Sequence, residues 1–192
     1  MFTKKRAASA LILVSLSVPA FGAEVPTETR DRALKVIAAL EKREEEAART
    51  KPRSPQNYTV TESDLNAWIA YRVATEMGTF VRSIELRLFD DNRAEGKIAI
   101  DLGGSPASVL LPSRADLFFS ARGETKDGKI RITMDSLFLG TQRLSPAFID
   151  TVISIVAGLQ GQPATSLKDW YPLPYGIRRL QSRPGRLICY YQ

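Results

Sequence analysis

The chain has no histidine and a single cysteine, and only 8% of its 192 residues are aromatic. Lack of histidine removes the commonest general base and the commonest metal ligand. One cysteine cannot close an intramolecular disulfide, and a thiol without a histidine lacks its usual activator. No G-x-S-x-G, S-x-x-K or phosphate-cradling G-x-x-x-x-G-K stretch occurs. Asp90, Asp91 and Asn92 come nearest to a calcium loop, yet they fall between two strand patterns without its ligand spacing, and they read as turn formers. The expectation is a non-enzyme with no catalytic residues, no metal and no cofactor.

The first residues carry a message of their own. Lys4, Lys5 and Arg6 precede an apolar run from Ala7 to Val18, and small residues follow at Ala20, Gly22 and Ala23. This is the layout of a secretory signal peptide. The apolar run is shorter than the ~20 residues a spanning helix needs, so residues 1–23 are expected to be cut off and the protein to be periplasmic or secreted. No cysteine stands at the cut, which argues against lipid modification there. Loss of the three basic residues leaves 24 basic against 21 acidic side chains. A net charge of +3 gives no basis for nucleic-acid binding.

Residues 24–57 read as an N-terminal helix and linker. Ala33, Leu34, Ile37 and Leu40 form one stripe, with Thr27 or Thr29 as the cap. The charged run from Glu41 to Lys51 is a solvated face, and the prolines of "KPRSPQN" stop the helix. Residues 58–192 read as an α+β domain. Thr61 is an N-cap with Asp64 at the third helical position, and Val60 and Leu65 have the spacing of a hydrophobic staple. Leu65, Trp68, Ile69, Arg72, Val73 and Met77 follow at helical spacing, and Gly78 suits the stop. Asn66 lies off that stripe and reads as an exposed or helix-start polar residue.

The period then changes to two. Ile84, Leu86 and Leu88 alternate with Ser83, Glu85 and Arg87; "DDNR" turns the chain, and Ile98, Ile100 and Leu102 return. A second hairpin crosses "TKDG"; Leu117, Phe119 and Ala121 face one way, as do Ile130, Ile132 and Met134. Phe118 and Phe89 point the other way, so the second face is not purely polar. Ser145 then caps a helix whose first position is Pro146. From Phe148 to Leu159 its apolar residues fill an arc of about 200° at ~100° per residue, wider than the ~100° stripe of a surface helix. It wants apolar contact on two sides, from the core or from an apolar ligand. The end of the chain reads as a closing hairpin turning at "RPGR", with Cys189 as a small core residue. Arg178, Arg179, Arg183 and Arg186 are either a solvated tip that protects an edge or a patch for anionic headgroups.

The order of a capped "VTESDLNAWIA" helix, long hairpins, "LGTQRLSPAFID", "YPLPYGI" and a closing hairpin resembles small bacterial envelope proteins with half of a tubular lipid-binding (TULIP-like) fold. The matching positions are Thr61, Leu65 and Asn66, then Gly140 and Pro146, the last pair one residue further apart than the family's G-x-x-x-x-P. The resemblance implies lipid held between a curved sheet and its helices. The fold expected is α+β: a curved antiparallel sheet built from hairpins, with two or three helices on one face. The expected function is binding of a lipid or other apolar ligand at Trp68, Phe80, Phe118, Phe148, Val152, Ile155 and Trp170, with the four C-terminal arginines meeting headgroups or a membrane surface. The alternative is an envelope protein-interaction module with no small-molecule ligand.

Overall fold

The computed structural model describes residues 25–49, 56–76, 81–101, 103, 113–145, 147, 150, 166 and 168–191. The expected signal peptide and the apolar Phe148–Leu159 segment therefore lie outside the described residues, although Ala147 and Asp150 at its start have helical backbone. The fold is α+β, with a strongly curved antiparallel half-barrel and, among the described residues, two helices, α1 (Thr27–Arg49) and α2 (Glu62–Glu76).

The curved sheet runs in the order β2 (Val81–Leu88), β3 (Arg93–Asp101), β4 (Arg114–Lys126), β5 (Lys129–Leu139) and β6 (Gln142–Arg143). β7 (Tyr171–Pro172) pairs with the start of β5. The two long hairpins follow the period-two pattern. Asp127 and Gly128 form the second turn with φ of 51° and 73°, the paired positive values that a tight two-residue hairpin requires, and Lys126 pairs with Lys129 directly across it. Leu117 and Ala121 of β4 and Leu137 of β5 are buried on the inner face. A register shift after Ser120 skips one residue of β5, and bulges of this kind add local bend and twist. At Gly96 in the central strand β3, a Cβ would sit 2.3 Å from the Glu85 carbonyl oxygen and 2.8 Å from the Phe119 ring. The missing side chain lets that ring lie across the strand.

A second sheet was not foreseen. The residues expected to lead into α2 form a strand, β1 (Asn57–Thr61), which pairs with the last strand of the chain, β9 (Arg186–Tyr190). β9 in turn pairs with β8 (Arg179–Arg183) across the Pro184–Gly185 turn. Five residues are too short for periodicity to distinguish a strand from a helix approach, and the partner is more than 120 residues away in sequence.

The start of α2 is built as its sequence implies. Asp64 N–H donates to Thr61 Oγ1 at 3.1 Å, and the Thr61 hydroxyl donates to the Asp64 carboxylate at 2.7 Å. Val60 is buried and Leu65 packs on the same cluster. The stripe of α1 is corrected by one position: Ala33, Val36 and Leu40 are buried, whereas Leu34 is 44% exposed. These three lie within about 60° around the axis at 100° per residue, which suits a helix that touches the body on one narrow face. Val36 and Leu40 join Val60, Ile177, Cys189 and Tyr191 in one buried cluster, so the N-terminal helix shares the core of the α+β body.

Candidate functional site

Between the concave face of the large sheet, the two helices and the closing hairpin lies a cavity of about 500 Å³. α1 contributes Val36 and Leu40, and α2 contributes Leu65, Trp68 and Ile69. The sheet supplies Leu86, Leu88, Phe119, Ile130 and Ile132; the small sheet supplies Val60, Leu180, Leu187 and Cys189. Room is left because the floor is made of small residues. Ala94 and Ala121 face each other across β3 and β4, and Gly123 follows on the same wall. For scale, an apolar cavity of about 150 Å³ holds a benzene molecule, and ligand sites commonly measure ~300–1,000 Å³.

One end of the cavity is polar but closed by internal bonds. Asn92, in the β2–β3 turn, has φ of 55°, and its Oδ1 accepts the Ser182 N–H at 2.8 Å. The buried Ser182 hydroxyl donates to the Phe89 carbonyl. Thr125 Oγ1 accepts the Leu180 N–H at 3.4 Å. Arg93 pairs with Glu95 at 2.7 Å and Arg122 with Asp135 at 3.0 Å. The bonds to Leu180 and Ser182 fasten the closing hairpin to the long hairpins, the two ion pairs lie within the large sheet, and the interior is left apolar. Among the described residues of the wall, the Trp68 indole nitrogen is buried and has no hydrogen-bond partner. Burial also pushes the Cys189 thiol up to about 12 and holds the Tyr191 hydroxyl well above its usual value, so neither is a nucleophile at neutral pH.

The ligand-binding residues expected from sequence separate. Trp68 lines the cavity. Phe118 does not: it is 44% exposed on the outer face, paired with Phe138 and with Lys97. Its neighbour Phe119 takes the inner position, as the alternation with Leu117 and Ala121 had indicated. Trp170 instead stacks under Arg131, whose guanidinium carbon is 4.9 Å from the ring centre. Phe80, Phe148, Val152 and Ile155 lie outside the described residues. The arginines are all exposed but do not form one cluster. Arg183 and Arg186 face each other at the hairpin tip, with Arg183 held by Asp90 at 3.0 Å. Arg178 and Arg179 stand at the other end of β8, about 13 Å away at strand rise, with Arg179 over the Tyr190 ring.

Sequence reasoning missed the contributions of α1 and of the 173–187 region to the wall. Val36 was hidden by the choice of stripe, and Ile177 and Leu180 sit among prolines and arginines with no period to mark them. Among the described residues, no group of three or more His, Cys, Asp or Glu could hold a metal ion, and no helix is long and apolar enough to cross a membrane. Compared with protein-family models, curated proteins and solved structures, the chain finds no match.

Proposed function

We propose that this protein is an exported, non-catalytic binding protein of the bacterial envelope whose ligand is a lipid or another apolar molecule, in keeping with the half-tubular lipid-binding proteins its sequence resembles. The observation that carries the reading is the apolar cavity of about 500 Å³ between half-barrel and helices, open to the surface on part of its boundary. An ordinary core fills such space with side chains; here paired alanines and a glycine keep it open. Bound hydrocarbon would be withdrawn from water by the same non-directional effect that folds the chain.

A second reading is a protein-interaction module. It is favoured by Phe118, exposed beside Phe138 on the convex face, where an aromatic pair suits a partner. Organic extraction of protein purified from the envelope fraction, followed by mass spectrometry, separates the two. A stoichiometric co-purifying lipid supports the first. A clean extract, no uptake of a fluorescent fatty acid and a stable protein partner would replace it with the second.

A further inference from the structure

We infer that the cavity takes a single acyl chain, not a two-chain lipid, with an oxygen at the head of that chain accepting a hydrogen bond from Trp68. The inference rests on the binding reading above and narrows it. The first support is size. A methylene group fills roughly the ~30 Å³ that one water molecule takes in the liquid, so about 500 Å³ matches a chain of some sixteen carbons, and the second chain of a two-chain lipid would have to lie outside that space.

The second support is the inventory of polar atoms at the wall. Asn92 Oδ1, the Ser182 hydroxyl and Thr125 Oγ1 are engaged by the protein itself. Trp68 Nε1 is buried without a partner. Indole can only donate, and buried donors in native proteins are nearly always paired. A hydrocarbon would leave that N–H as it stands; a ligand with a carbonyl oxygen would pair it. The N–H is covered by neighbouring atoms, and pairing with the ligand requires the ring to turn towards the cavity. A free acid and an ester both supply that acceptor, since they share the carbonyl oxygen.

The test follows the indole N–H resonances of ¹⁵N-labelled protein, assigned with Trp170→Phe, during titration with hexadecane, hexadecanoic acid, its methyl ester and dihexadecanoyl phosphatidylglycerol. The expected result is a downfield shift of the Trp68 N–H with the acid or the ester and none with hexadecane. A shift with the acid alone identifies a free fatty acid; a shift with both admits an ester-headed lipid. Trp68→Phe should weaken the acceptor-bearing ligand about three- to tenfold more than it weakens hexadecane, the worth of one net hydrogen bond, and retained hexadecane binding shows that the variant is folded. Equal losses for hexadecane and acid, or no loss for either, would overturn the role of Trp68. Two-chain lipid bound as tightly as the acid would overturn the single chain. If no apolar probe binds the wild type at all, the binding reading itself falls.

Discussion

At Thr61 one side-chain oxygen serves two purposes, accepting the Asp64 N–H and donating to the Asp64 carboxylate. Thr61→Ala strands the N–H, and urea unfolding should show a loss of about 1 kcal/mol; Thr61→Ser should recover most of it. Cys189 gives a prediction in pH. Its thiol is raised from 9.0 to about 12 by burial, so between those values the unfolded chain loses the proton while the native chain keeps it. The native state then binds more protons, and stability falls as pH rises, by up to about 1.4 kcal/mol per pH unit. Tyr191, shifted in the same direction, adds to the fall. The full contribution is present below pH 9. Urea midpoints measured from pH 8 upward should decline, and Cys189→Ala should decline less steeply; parallel profiles would show that the thiol does not titrate with unfolding.

On the scale of elements, the open edge of β2 is protected by a helix. Asn66 of α2 donates its amide to the Leu86 carbonyl and accepts the Leu86 N–H, both at 2.8 Å, and Glu62 accepts the Leu88 N–H at 2.7 Å. Two side chains stand where a neighbouring strand's backbone would be, which removes an edge that could otherwise recruit another chain. Asn66, expected to be an exposed or helix-start polar residue, stands near the start of α2, but it is part-buried and bonded to β2. Asn66→Ala should leave both Leu86 groups without their partner, costing about 1–3 kcal/mol, with increased self-association at high protein concentration by light scattering. Asn66→Leu, close in size, should not rescue it. The hairpins and the capped helix were legible because each rests on residues a few positions apart. The Asn66–Leu86 bridge and the β1–β9 pairing join residues remote in sequence, and no local period encodes such a partnership. The aromatic candidates divided along the same line. Phe119 and Phe118 are chemically alike, and only their place on the alternating strand distinguishes the cavity wall from the outer surface.

For the whole molecule, the question is whether the central space is a site or merely loose packing. Its floor is the facing pair Ala94 and Ala121, and Ala121 is 4% exposed. In a close-packed core, Ala121→Leu would force side chains off their rotamers and cost about 1–3 kcal/mol. Where the floor borders about 500 Å³ of open space, the added carbons enter that space and gain apolar contacts. The expected result is an unchanged or raised urea midpoint together with weaker uptake of a fluorescent fatty acid, since chain and side chain compete for one volume. The wild type should respond in the complementary way: saturating fatty acid at about 100 times its Kd should stabilise it by about 2.7 kcal/mol, and Ala121→Leu should lose most of that gain. A strongly destabilised Ala121→Leu variant would mean that the half-barrel is filled in solution by other parts of the chain, and a ligand would then have to displace protein to enter.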